Sequence, residues 1–276
     1  YVLAGDATAT SDVITLGSSG TLAISNEAVL GSNAAVNLVT PDVTNLTVKQ
    51  GNATDQTYFT ITAAKATDIT IGGTDVDTAG TQYAGAITAT TVDAGEATTL
   101  TIDAGQGTRT INTLTAAKLT TLNISGDNAV SVGDTGATTT LLSTIDGGTA
   151  TAGITIGQAV DLTSSANVTL GTAADTITLD ILTESNVTVN AGEHATTDTG
   201  VNDTLKLAGD NNQGLTVIDL SSTTDQVTQI NGAVNSVATT NFESFDASGF
   251  TGSQTVSVTG SDEANTIVGS PGNDVI

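Results

Sequence analysis

The residues best placed to do chemistry stand at the end of the chain: Gly269, Ser270, Gly272 and Asp274, followed by Ile276. Counted from Gly269 they fall at positions one, two, four, six and eight of a nonapeptide. Gly260-Ser-Asp-Glu-Ala-Asn-Thr-Ile-Val268, directly before it, is a second unit in the same register. Such spacing suits the coordination of a hard divalent cation. Glycines let the backbone turn sharply and aim carbonyls at an ion, one aspartate supplies a carboxylate oxygen, and the apolar residue points inward from a short strand. Asp274, with Gly269 and Gly272, is therefore the leading calcium ligand set, although Gly-Asn-Asp is also an ordinary turn sequence. The first unit is degenerate. Glu263 stands where a glycine is expected, and Asn265 replaces the aspartate as a neutral, weaker ligand. Asp262 and Glu263 either add carboxylate or sit in solvent.

A second set of acids closes short apolar runs. Thr91-Val-Asp-Ala-Gly95 recurs as Thr101-Ile-Asp-Ala-Gly105, with related endings at Ile145-Asp-Gly-Gly148 and Phe245-Asp-Ala-Ser-Gly249. If these runs stack as coils, Asp93, Asp103, Asp146 and Asp246 come close together and recruit calcium. If not, Asp and Gly serve as turn formers. Asp175 and Asp203 head the runs Asp175-Thr-Ile-Thr-Leu179 and Asp203-Thr-Leu-Lys-Leu207. They read as ordinary strand starts rather than decayed repeats, because Gly171 lies four residues before Asp175 instead of five.

His194 is the single histidine, and there is no cysteine. One histidine without cysteine cannot build the common structural zinc site, so the expectation is a solvated loop residue. A Ser-His-Asp triad would have to recruit this one histidine, and no Gly-x-Ser-x-Gly elbow is visible. Acids abound for glycoside chemistry, but only Lys49, Lys65, Arg109, Lys118 and Lys206 could grip an acidic sugar. The expectation is no enzyme.

The chain has 276 residues with 29 acidic against 5 basic, a formal net charge of -24. That balance argues against nucleic acid and anionic membrane surfaces, which need Lys and Arg clusters. It suits divalent cations, which relieve self-repulsion. No apolar run is long enough to span a bilayer, so membrane insertion is not expected. With Tyr1 first and a repeat unit last, the chain is expected to be a fragment of a longer protein.

The elements that must position these residues are strands. Asp12-Val-Ile-Thr-Leu16, Val43-Thr-Asn-Leu-Thr-Val48, Tyr58-Phe-Thr-Ile61 and Asp68-Ile-Thr-Ile71 alternate with period two. The best helical stretch, Asn112 to Thr121, is too short to convince. Where the runs crowd closest they recur roughly every ten residues, an all-β rhythm. A parallel β-solenoid or β-roll-like fold fits the aliphatic, Thr-rich strands and the shortage of aromatics better than an antiparallel sandwich does. Residues 1–85 repeat less regularly and are expected to form a separate, sandwich-like segment. Residues 86–240 read as the solenoid body, and residues 241–276 as the start of the calcium-binding repeats.

The terminal units resemble the G-G-x-G-x-D-x-U-x nonapeptide of the RTX calcium-binding proteins. Asn241-Phe-Glu-Ser-Phe-Asp-Ala-Ser-Gly249, followed by Val256-Ser-Val258, is similar to what precedes such repeats in large secreted members. The Thr/Ala/Gly-rich body, including Leu114-Thr-Ala-Ala-Lys-Leu-Thr-Thr-Leu-Asn-Ile-Ser125, looks like the β-rich region of bacterial surface-layer proteins with RTX repeats. The specific resemblance covers residues 241–276; over the body it rests on composition and rhythm. It implies secretion in one step, folding outside the cell on meeting calcium, and self-assembly into a surface layer. An RTX adhesin stalk is the alternative, and a β-helix lyase or epimerase module a distant third. The partners expected are copies of the same chain, calcium and cell-surface polysaccharide.

Overall fold

Alternating Thr with Val, Ile or Leu gives each strand one apolar face and one hydroxyl-bearing face. The computed structural model describes residues 2–3, 12–17, 20–26, 36–50, 55–73, 84–133, 139, 141–157, 161–180, 186–194, 202–210, 214–230, 232–234, 237–252 and 254–276. Every regular element among them is a strand. The first are β1 (Val2–Leu3), β2 (Asp12–Thr15), β3 (Gly20–Asn26), β4 (Val36–Val39), β5 (Val43–Gln50), β6 (Gln56–Thr62), β7 (Asp68–Gly72) and β8 (Ile87–Asp93). There follow β9 (Thr99–Asp103), β10 (Arg109–Thr115), β11 (Thr121–Gly126), β12 (Val130–Val132), β13 (Leu142–Ala150), β14 (Ile154–Ile156), β15 (Leu162–Thr169), β16 (Thr176–Asp180) and β17 (Thr188–Asn190). The last are β18 (Thr204–Asp210), β19 (Leu215–Asp219), β20 (Val227–Ile230), β21 (Ala233–Val234), β22 (Ala238–Thr240), β23 (Ser244–Thr251), β24 (Thr255–Thr259) and β25 (Ile267–Val268).

Successive strands alternate between two walls. The odd strands β1 to β17, then β22, make a ten-stranded sheet; the even strands β2 to β18, then β23 and β25, make an eleven-stranded one. All neighbouring pairs in both sheets are parallel. A parallel pair needs a crossover, and here the crossover is the opposite wall. The result is a two-walled β-solenoid. Thr120 Oγ1 donates to the Thr98 carbonyl 22 residues earlier, which is one full coil. The ten-residue rhythm of the sequence is thus half a coil.

The segment up to residue 85 does not stand apart. β6 pairs with β8 and β7 with β9, in parallel, so its strands belong to the same two walls as the body. Pro41, which interrupts a strand pattern, lies in the turn between β4 and β5, where its missing N–H costs no ladder bond. The stretch Asn112 to Thr121 is the end of β10, a turn and the first residue of β11, with no helix.

Five of the parallel pairs carry a register shift, but on the rungs between shifts like stacks on like. On the inner face of the ten-stranded sheet Leu46, Ile69, Leu100, Leu122, Ile145, Val168 and Val189 form one continuous column. On the facing wall Ala89, Ile111, Val132, Ile156, Ile177, Leu205 and Phe245 form another, and Ile267 continues it. All except the half-buried Ile267 are buried in one core. Outside, Thr99, Thr121 and Thr144 align, as do Thr57, Thr88 and Thr110. Cross-strand Thr pairs of this kind suit a solvated β face.

Near the C-terminus one wall is exchanged. A four-stranded sheet, β21-β20-β19-β24, appears after β18, with β19 and β24 parallel and the β20–β21 hairpin antiparallel. The terminal nonapeptides then alternate between walls: Ile267 pairs with Phe245 in the eleven-stranded sheet, and Val275 bridges Ser257 of β24. From Val256 to the equivalent contact at Asp274 is 18 residues, two nonapeptides per coil.

The column arrangement makes the inward and outward residues of one strand unequal. Ile102→Ala removes packing from a fully buried position and is expected to lower stability by about 2–4 kcal/mol. Thr101→Ala, its outward neighbour, is expected to cost less than about 1 kcal/mol. Denaturant midpoints of the two variants against the parent measure the contrast; equal losses would mean that the register is misplaced.

Candidate metal sites

Three of the acids expected to close strands hydrogen-bond to their own backbone two residues on. Asp103 Oδ1 accepts the Gly105 N–H at 2.9 Å, Asp146 Oδ1 the Gly148 N–H at 3.2 Å, and Asp246 Oδ1 the Ser248 N–H at 2.8 Å. Each closes a side-chain turn; Asp103 does so at the end of β9, whereas Asp146 and Asp246 lie inside β13 and β23, where the turn coincides with a register shift. Stacking does not bring these acids together. Asp93 is flanked on its rung by Thr62 and Thr115, Asp103 by Gly72 and Ser125, Asp146 by Asn123 and Thr169. Asp246 lies beside Lys206, whose Nζ is 3.2 Å from its Oδ2. Burial would raise the Asp246 pKa, but the Ser248 hydrogen bonds and the Lys206 cation outweigh it and hold the carboxyl below its ordinary value.

In the terminal repeats the glycines are required sterically. A Cβ on Gly269 would collide with the Asp274 carboxylate, and one on Gly272 with the Gln254 carbonyl of the preceding coil. Asp274 Oδ1 accepts the Ser270 hydroxyl at 2.7 Å and the Val256 N–H at 3.1 Å. Asn265 repeats the loop form: its Oδ1 accepts the Ser261 N–H, and its Nδ2 donates to the Glu243 carbonyl. Asp262 is exposed and stands clear of both.

The same loop form occurs earlier, where the sequence reads only as strand starts. Asp175 Oδ2 accepts the N–H of Gly171, four residues before it, and its Oδ1 accepts the Ile154 N–H of the preceding coil at 2.6 Å. From here a ladder descends the solenoid. The Asp175 N–H donates to Asp203 Oδ1 at 2.7 Å, and the Asp203 N–H to Glu243 Oε2 at 2.8 Å. These acids immediately precede β16, β18 and β23, one position before residues paired in register. They continue the inward column Ile87, Arg109, Val130, Ile154, so a core column that is apolar but for Arg109 turns acidic along its length. Asp175 and Asp203 are fully buried.

His194, which follows β17 of the ten-stranded sheet, packs against this column and is not a solvated loop residue. Its side chain is only 12% exposed, with Nε2 3.0 Å from Asp203 Oδ2 and 3.7 Å from Glu243 Oε2. Nδ1 lies 3.1 Å from the Thr172 carbonyl, which acts as acceptor and so places a proton on Nδ1. Nε2 and Oδ2 are within ion-pair reach, yet neither makes a hydrogen bond of acceptable geometry. Among the described residues, His194, Asp203 and Glu243 are the one group of three or more His, Cys, Asp or Glu whose ligand atoms all lie within 4.8 Å of one another.

Burial dominates the electrostatics here. Desolvation pushes Asp175 up to about 6 against the N–H groups it accepts. Desolvation likewise pushes Asp203 up to about 8, with Asp175 and Glu243 adding to the rise and the Asp175 N–H and His194 opposing it. Glu243 is raised by burial, and the Asp203 N–H and His194 only partly offset that. At His194 burial lowers the pKa, but the Thr172 carbonyl, Asp203 and Glu243 together raise it above its ordinary value.

Comparison of the chain with protein-family models, curated proteins and solved structures gives no match, so its function has to be argued from this geometry.

The carboxyls carry a sign. Their folded pKa values lie above the unfolded ones, so their contribution to stability is full below about pH 4. It is lost as pH rises through about 6 for Asp175 and about 8 for Asp203. In chelator, the melting temperature is expected to fall between pH 4 and 8. Asp203→Asn keeps an acceptor for the Asp175 N–H and adds a donor toward His194, so it should flatten the upper part of that fall. A slope unchanged between pH 6 and 8 would show that Asp203 is not the titrating group, with Asp175, His194 and Glu243 the remaining candidates around it.

Proposed function

We propose that this chain is a calcium-dependent structural protein of a bacterial cell surface, secreted and self-assembling into a surface layer. One observation carries the reading: the terminal nonapeptides continue the parallel solenoid as an 18-residue coil. Ile267 extends a core column, and Gly269 and Gly272 stand where a side chain would not fit. Calcium is the cation that an aspartate and glycine carbonyls in a flexible turn favour. The acidity supports the same choice, since 29 acids face 5 basic residues. Two of those basic residues, Lys65 and Lys118, are engaged in exposed pairs with Asp42 and Glu96. Walls lined outside by aligned threonines offer broad, weakly charged faces for packing against a copy of the same chain, or against cell-surface polysaccharide.

Calcium that binds only the folded state adds about 2.7 kcal/mol at a hundredfold excess over Kd. Millimolar calcium is therefore expected to raise the melting temperature well beyond sodium chloride of matched ionic strength, which only screens. Asp274→Ala should remove much of that increment, whereas Asp103→Asn and Asp146→Asn should leave it unchanged, because asparagine closes the same turn. An equal effect of both salts would refute the calcium reading.

Electron microscopy separates a surface layer from a stalk. Ordered two-dimensional sheets in calcium, dispersed by chelator, are the outcome expected. Single elongated particles under both conditions would favour an adhesin stalk instead.

A further inference from the structure

We propose that His194, Asp203 and Glu243 form a second metal site, distinct from the nonapeptide turns, that takes a divalent transition ion of the zinc class and ties two coils together. His194 follows β17 and Asp203 precedes β18, whereas Glu243 precedes β23 on the next coil. An ion between them would clip the coils across the inward column.

The donor set selects the metal. One imidazole nitrogen with two carboxylates is a zinc-type set, whereas calcium takes six to eight oxygens and gains little from nitrogen. The spacing agrees. Zinc bonds of about 2.0–2.1 Å in a tetrahedron place ligand atoms about 3.3 Å apart. Nε2 lies 3.0 Å from Asp203 Oδ2 and 3.7 Å from Glu243 Oε2.

The ligands are also held from behind. The Nδ1–H of His194 donates to the Thr172 carbonyl, the arrangement that presents Nε2 to a metal. Backbone N–H groups of Asp175 and Asp203 fix Asp203 Oδ1 and Glu243 Oε2, leaving Asp203 Oδ2 turned to the histidine.

The independent sign of a ligand is the polar atoms left over. The Asp203 side chain is 0% exposed, and its Oδ2 has no hydrogen-bond partner; nor has the buried Nε2 of His194 facing it. Buried polar atoms are ordinarily paired. Two such atoms 3.0 Å apart, not aligned for a hydrogen bond to each other, are disposed as two ligands of a third atom. His194 and Glu243 keep 12% and 14% exposure, which gives an ion a way in and leaves room for water to complete its shell.

The test uses the whole chain, stripped with chelator and returned to excess calcium so that calcium sites are filled. Titration with zinc chloride, followed by calorimetry, should show one tight equivalent per chain and a raised melting temperature. Cobalt(II) in place of zinc should give a visible absorption spectrum of a low-symmetry nitrogen–oxygen site. His194→Ala should abolish the spectrum and lower zinc affinity at least tenfold, with circular dichroism confirming the fold. Glu243→Gln should weaken zinc without altering the calcium response. The proposal is overturned if the parent protein binds no stoichiometric zinc in calcium, or if folded His194→Ala or Glu243→Gln binds it as tightly as the parent. Failure here would leave the calcium reading standing, because that reading is decided by the response of Asp274.

Discussion

The rung of a parallel ladder is the constraint on which everything else depends. Each backbone hydrogen bond fixes one strand on the next about 4.8 Å away, so a residue's nearest neighbour is its counterpart one coil along. For Leu100 between Ile69 and Leu122 this repetition is favourable, because apolar side chains stack without loss of contact. For an acid it is costly, because like charge is delivered to like charge. The solenoid avoids the difficulty at Asp93, Asp103 and Asp146 by placing Thr, Ser, Asn or Gly beside them, and at Asp246 by placing Lys206 there. At Asp175, Asp203 and Glu243 it does not.

The chain has few cations with which to offset those acids. Arg109 is committed elsewhere: its guanidinium lies fully inside the solenoid, donating to the carbonyls of Gly85, Asp103 and Thr108. Burial lowers its pKa although Asp103 opposes the shift. It fills a core position that Ile87 and Val130 fill on neighbouring strands, and Gly72 leaves the space it needs. The pairs Lys65–Asp42 and Lys118–Glu96 are at least half exposed and contribute little. An acidic solenoid with its strongest base buried leaves most of its 29 acids without a basic partner among its 5 Lys and Arg.

The fold was largely legible because period two survives in single strands such as Leu100-Thr-Ile102, and because Thr91-Val-Asp-Ala-Gly95 and Thr101-Ile-Asp-Ala-Gly105 mark strand ends, although the related runs at Asp146 and Asp246 lie inside β13 and β23. The irregular first 85 residues misled, since their described strands pair in parallel with one another and with the body although the sequence between them does not repeat. At the terminal repeats, the need for Gly269 and Gly272 could be read from spacing alone. The cluster at His194 could not. Its acids are separated by 28 and 40 residues, against a basic coil of 22, so no fixed period finds them. The available signal was weaker: Asp175 and Asp203 each open a strand beside an aligned Thr, which is a statement about register rather than about a motif. Arg109 was equally hidden, because a charged residue at an inward position looks like a break in the pattern.

The exchange of walls near the C-terminus has a mechanical consequence. In a structure where each coil touches only its neighbours, order spreads and frays from unit to unit. Among the described residues the ten-stranded sheet stops at β22 and the four-stranded sheet begins only at β19, so the eleven-stranded sheet alone runs through the junction. Disorder that starts in the repeats reaches the body along that ladder, by way of Phe245 and Leu205, and across the Gln226 N–H to Thr239 carbonyl bond that joins the four-stranded sheet to β22. The junction is therefore where the body and the terminal repeats cease to share both walls.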